Sequence, residues 1–174
     1  ADNLWLACHL PVAGLHIDVT RSGGEWQQVV DRLPEYKVLS LGVIDGRNIW
    51  RANLREKMAL LKEAKARMGD RLWVGSSCSL QHVPVDLVRE KALSTELRSW
   101  LSFAVQKLDE IAVLKAALQH PDDSHVIAAL RGADLASASR KDAVNWKNTA
   151  VQVRVAALKA GDAERASPYA IRET

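Results

Sequence analysis

The chain has 174 residues, 48% hydrophobic and 26% charged, enough for a domain with its own core and unlike a disordered or collagen-like chain. Its formal net charge is +3, with Lys and Arg spread along the sequence, too weak and scattered a field to point to nucleic acid or a membrane surface. No apolar run approaches the roughly 20 residues of a membrane span, and the opening A-D-N-L-W-L-A-C-H-L does not read as a signal peptide. Two cysteines, Cys8 and Cys78, make no disulfide framework and read as reduced thiols of a cytoplasmic protein. The sequence starts at Ala1, inside what reads as a helix, and is expected to be a piece of something larger.

Asp2 to Leu10 reads as the end of a helix with Leu4, Trp5 and Leu6 as its apolar content, stopped by Pro11. Val12 to Val19 reads as a first strand and Ser22-Gly23-Gly24 as a turn. Glu25 to Leu33 reads as a short helix with Trp26, Val29, Val30 and Leu33 on one side. Val38 to Ile44 is a second apolar strand ending in the polar turn Asp45-Gly46-Arg47-Asn48. Asn53 is placed to cap a helix running to about Met68. Leu54, Met58, Leu61, Ala64 and Met68 form its stripe, Glu63 and Arg67 a favourable pair, and Gly69 its end. Arg71 to Ser77 is a third strand. This β-α-β-α-β order demands parallel strands with right-handed helical crossovers.

The second half is helical. Ser94 is predicted to cap one long helix to about Leu118, with Leu97, Leu101, Ala104, Leu108, Ile111, Leu114 and Leu118 recurring at spacings of three and four. Pro121 breaks it, and Asp122-Asp123 start another helix through Ala128, Ala129 and Leu130. A third spans about Lys147 to Lys159, with Val151, Val155 and Leu158 inward, and Ser167 to Thr174 reads as a tail.

Polar residues gather at the C-terminal end of each strand, where parallel α/β folds bind ligands. Asp18 and Asp45 stand there either as turn and capping residues or as ligand contacts. His16 shares a face of the first strand with Asp18 and reads as a satisfied core histidine. Cys78 and His82, spaced C-x3-H, and the pair Cys8-His9 fit the zinc spacings poorly, and Cys8 belongs at the opposite end of its strand. Cys78 as a nucleophile would need His82 within hydrogen-bonding reach; an inert thiol is the simpler reading. Trp50, Trp73, Trp100 and Trp146 read as core and interface aromatics. Gly42 and Gly46 make no phosphate loop.

The strings L-P-V-A-G-L-H-I-D-V, L-S-L-G-V-I-D-G-R-N-I-W-R-A-N-L, W-V-G-S-S-C-S-L-Q-H-V-P-V-D-L and S-W-L-S-F-A-V-Q-K-L-D-E-I-A-V-L resemble cobalamin-independent methionine synthase, in the closing part of its N-terminal domain. The likeness runs from about Leu10 to Ala157, and E-R-A-S-P-Y-A-I-R is similar to the segment leading into the family's C-terminal domain. The resemblance implies an α/β fold: the last three βα units of a (β/α)8 TIM barrel, a partial barrel over residues 1–120, then a helical extension and linker over 121–174. It implies a parent enzyme that moves a methyl group from methyltetrahydrofolate-polyglutamate to homocysteine, with zinc and most of the substrate site in a catalytic C-terminal barrel outside this chain. Cys78 would be a vestigial ligand position, and no cofactor is expected in this segment. Asp18, Asp45, Arg47, Asn48 and Arg51 are the candidate substrate-binding residues, with Arg47 and Arg51 as candidate contacts for the anionic folate tail.

Expected partners are the catalytic barrel and, through exposed sheet edges, further copies of this chain, with no nucleic acid and no membrane. The alternative is a free-standing binding or interaction module with no methyl-transfer role. A different enzyme on a related barrel, such as the uroporphyrinogen decarboxylase-like group, fits the quoted strings less well.

Overall fold

The computed structural model describes residues 3–143, 148–165 and 167–173, in two units that divide after Arg140. The first unit is built on three parallel strands, β1 (Gly14–Asp18), β2 (Val38–Ile44) and β3 (Leu72–Ser76), in the order β1-β2-β3. Gly14 pairs with Val38 and Asp18 with Gly42 on one side, and Leu39 with Leu72 on the other. The sheet is not closed, and its extent agrees with part of a barrel.

Alternation sets the two faces. Leu39, Leu41 and Val43 of β2 are each 0% exposed, and they join Leu15, Ile17, Leu72 and Val74 in one cluster. Helices α1 (Leu4–His9), α2 (Glu25–Arg32) and α3 (Leu54–Met68) contribute to that same cluster. In α1 the inward residue is Cys8, whereas Trp5 and Leu6 face solvent. The predicted stripe of α3 is buried in full. The Asn53 side chain accepts from the Glu56 N–H, and Gly69, at φ +56°, ends the helix in the left-handed region that glycine tolerates. Arg67 pairs with Asp31 of α2 rather than with Glu63, which ties neighbouring helices together.

The opposite sheet face stands open. Gly14, His16, Val38, Ser40 and Trp73 line a groove of about 420 Å³ on it. His16 is therefore satisfied, through Ser40 Oγ at 2.9 Å, but exposed rather than in the core. Trp73 is 62% exposed, Trp100 is 4% exposed and Trp50 is half-buried; Trp146 lies outside the described residues.

The long helix predicted from Ser94 is two helices. Ser94 does cap, accepting from the Leu97 N–H, but α4 (Thr95–Trp100) stops where Leu101 turns extended, and α5 (Ala104–Gln119) begins anew. The break has a partner. Ser102 N–H donates to the Ile49 carbonyl and Arg51 N–H to the Trp100 carbonyl, each at 2.8 Å, so the interruption pairs with the chain after β2. Leu101 and Phe103 are buried there beside Leu87. The phase of α5 differs as well. Its inward residues are Lys107, Glu110, Leu114 and Ala117, while Leu108 is 57% exposed.

Asp123 caps α6 (Ser124–Asp142) through the His125 and Val126 N–H groups. Val126, Ala133 and Ala136 of α6 are buried within the first unit. In the second unit α7 (Thr149–Ala157) is capped by Asn148, with Val151, Val155 and Leu158 exposed rather than inward. The expected tail contains a short helix, α8 (Tyr169–Arg172).

Gly42 and Gly75 test the closeness of the strands. A Cβ on Gly42 would stand 2.7 Å from Ser77 Cα and 2.8 Å from the Ser76 carbonyl oxygen, whereas one on Gly75 meets nothing nearer than 3.7 Å. Gly42→Ala should lower the unfolding free energy by about 1–3 kcal/mol in urea titration. Gly75→Ala should cost distinctly less, and equal costs would contradict this packing.

Candidate functional site

The ends of the three strands are cross-linked by polar side chains. Asp18 Oδ1 accepts from the Thr20 N–H at 2.8 Å and the Thr20 hydroxyl at 2.6 Å. Arg21 then spans two strands: Nη1 donates to Asp18 Oδ2 at 3.1 Å and Nη2 to Asp45 Oδ1 at 3.1 Å. Asp45 also accepts from the Arg47 N–H and from Asn48 Nδ2, each at 2.8 Å, and Asn48 Oδ1 accepts from the Trp50 N–H at 3.0 Å. The third strand joins through Ser77, whose Oγ accepts from the Gly46 N–H at 3.1 Å. Gly46 is required here: a Cβ would lie 2.9 Å from the Cys78 carbonyl oxygen and 3.0 Å from Cys78 Sγ.

The predicted residues therefore separate. Asp18, Asp45 and Asn48 form one network, with both carboxylates engaged from within the protein. Arg47 contributes its backbone N–H and leaves its side chain exposed. Arg51 lies away from this network, in a cleft of the helix layer with Leu54, Arg98, Ser102 and Glu110. Thr20 and Arg21 are legible in the sequence as polar residues at the end of the first strand but stand outside the expected substrate-binding residues, although Asp followed three residues later by Arg at a strand end is a usable signal. Burial alone raises the Asp18 carboxyl, but the Thr20 and Arg21 donors outweigh it and hold the group below the ordinary carboxylate value. The Arg21 guanidinium is 44% exposed, so these ion pairs fix geometry more than they stabilise the fold.

Behind the network two ionisable residues of α5 grip the loop after β2. Lys107 Nζ donates to the Trp50 carbonyl at 3.3 Å, and Glu110 Oε1 accepts from the Ala52 N–H at 3.0 Å. Lys107 is 1% exposed and Glu110 6%. Burial pushes the lysine down and the carboxyl up, each opposed by the other's charge. Neither was marked from the sequence, because charged residues on an otherwise apolar helix read as solvated.

The zinc that the resemblance implies does not fit here. Among the described residues no three His, Cys, Asp or Glu side chains gather as a metal-holding group. Cys78 Sγ has Ser79 O at 3.7 Å and Ser77 Oγ at 3.9 Å, and among the described residues no hydrogen bond joins it to His82. Cys8 is buried near the start of β2, where Lys37 Nζ donates to its carbonyl. The two thiols thus belong to opposite ends of the sheet. No helix among the described residues is long and apolar enough to cross a membrane.

The arrangement is that of a parallel α/β unit with its helical crossovers on one face and its polar network at the strand ends. The family model "Cobalamin-independent synthase, N-terminal domain" matches residues 1–69, from the start of the chain to the end of α3. That stretch is similar to the N-terminal domain of cobalamin-independent synthases.

The buried carboxyl gives a signed test. Its raised folded-state pKa means that the folded protein holds the Glu110 proton more tightly than the unfolded chain does. That stabilisation is complete below the unfolded value of about 4.3 and is lost as pH rises through the folded value. Glu110→Gln keeps a carbonyl acceptor for Ala52 and cannot titrate. Unfolding free energies measured from about pH 4 to 8 should therefore show wild type losing ground to the variant as pH rises. A difference that stays flat would contradict the burial of this carboxyl.

Proposed function

We propose that this chain is a non-catalytic part of the N-terminal barrel of a cobalamin-independent methionine synthase. The observation that carries the proposal is the family match over residues 1–69. The one-sided placement of helices on the parallel sheet supports the partial-barrel reading, because a doubly wound sheet has helices on both faces. On this reading β1 to β3 are the last three strands of the barrel, α4 and α5 together are its final helical layer, and α6 onward leads toward the catalytic barrel.

The parent enzyme moves a methyl group from methyltetrahydrofolate-polyglutamate to homocysteine. Zinc, held by the catalytic barrel, would supply Lewis acidity toward the homocysteine thiolate there. The segment described here supplies scaffold. Arg21, Asp45 and Asn48 hold the loop at the end of β2. Arg47 is the predicted residue whose exposed cation is best placed to meet an anionic folate tail at that end.

Incubated with zinc, methyltetrahydrofolate-polyglutamate and homocysteine, this chain alone should form no methionine, while folyl-polyglutamate titrated into it should release heat. Turnover would overturn the assignment of chemistry to another barrel. A silent titration would overturn the folate contact and favour a free-standing interaction module.

The open sheet face and the unpaired outer edges of β1 and β3 favour self-association of the isolated chain. Light scattering at micromolar concentration should report dimers or larger species, and a clean stable monomer would count against it.

A further inference from the structure

The helix layer carries a cleft of about 340 Å³, lined in part by α5 and α6 and by none of the strand-end residues Asp18, Arg21, Asp45 and Asn48. Two half-buried arginines, Arg51 and Arg98, open onto it. Neither makes an ion pair or a side-chain hydrogen bond among the described residues, whereas Arg21, Arg55 and Arg67 of the same unit each pair with a carboxylate. A partly desolvated guanidinium with no hydrogen-bonded carboxylate keeps its forked donors available to an incoming one.

Two carboxyls also line the cleft: Glu110 has Oε1 engaged by the Ala52 N–H and is acted on by the Arg51 charge, and among the described residues neither it nor the exposed Asp109 forms an ion pair with either arginine. Gln106, another lining residue, is fully used: its carbonyl accepts from the Leu87 N–H and its amide donates to Asp86. Leu54, Leu87, Leu101 and Val113 supply apolar wall. The volume lies near the lower end of small-molecule sites, which start at about 300 Å³, so the occupant is small.

We propose that this cleft binds a small organic carboxylate with a branched aliphatic body, its carboxylate bridging Arg51 and Arg98 and its body against Leu54, Leu87 and Val113. The proposal is independent of the methyl-transfer reading. The same chemistry is offered by a simple aliphatic acid and by an aliphatic amino acid, the latter adding an ammonium for Asp109 at the rim.

Isothermal titration of the full chain with isovalerate, leucine and inorganic phosphate separates these. At least one of isovalerate and leucine should bind at millimolar concentration, and phosphate distinctly more weakly. A preference for leucine would identify an amino acid, and a preference for isovalerate a simple acid. Arg98→Gln and Arg51→Gln should each weaken binding by about tenfold or more, the worth of one charge-assisted contact. Ala129→Leu, which adds bulk at the cleft wall and keeps both charges, should weaken it too, while Lys62→Gln on exposed α3 surface should not. Circular dichroism confirms that each variant is folded. The proposal is overturned if neither carboxylate binds, if phosphate binds equally well, or if folded Arg98→Gln and Arg51→Gln bind as wild type does.

Discussion

Leu39, Leu41 and Val43 lie at 0% exposure on one face of a strand hydrogen-bonded along both edges. Burying side chains of this size is worth roughly 1.5–3 kcal/mol each, and the rest of the unit is arranged to provide it. Parallel neighbours force each connection to cross over, and both crossovers land on the apolar face. Trp26 and Val29 of α2 and the full stripe of α3 follow from that one demand. Leu114 and Ala117 of α5, with Val126 and Ala133 of α6, close the same cluster from further along the chain. The other face carries His16, Ser40 and an exposed Trp73, residues that do not themselves require burial by a second helical layer.

With the apolar face covered, the polar problem moves to the strand ends. Asp18 and Asp45 would repel each other if left alone; Arg21 between them removes that repulsion and joins β1 to β2. Gly46 lets the turn after β2 approach Cys78, and Ser77 closes the contact with a hydrogen bond. A carboxylate such as Asp18, held below its ordinary pKa by internal donors, is a poor general acid or base at neutral pH. This network therefore behaves as a fastening of three strand ends, with the Arg47 side chain left exposed beside it.

What was legible in the sequence follows from how local each signal is. The bounds of β2, the cap at Asn53 and the stripe of α3 each depend on neighbours within a few residues, and all three were readable. The break between α4 and α5 was not, because Leu97, Leu101, Ala104 and Leu108 keep helical spacing across it. The extended link is selected by hydrogen bonds to Ile49 and Arg51, which lie far outside any local window of the sequence. The inward phase of α5 was hidden for a related reason. Lys107 and Glu110 are buried because the loop at Trp50 and Ala52 offers a carbonyl and an N–H, and no periodicity scale contains that information. Among the site residues, the aspartates were visible as strand-end acids; the separation of Arg51 from them was not, since four residues of loop beyond Arg47 suffice to turn a side chain into the helix layer.

That separation changes where ligand chemistry is expected. At the strand ends each acid already has a cation or an N–H, so an incoming anion gains only what Arg47 offers in high dielectric. In the cleft the balance differs: two guanidiniums are partly withdrawn from water with no hydrogen-bonded carboxylate among the described residues, and Leu54, Leu87, Leu101 and Val113 supply apolar wall. The same desolvation that penalises those cations when the cleft is empty strengthens their attraction for a carboxylate that enters it. A segment whose strand ends are spent on holding the sheet together thus keeps its capacity to recognise a small acid on the outer, helical side.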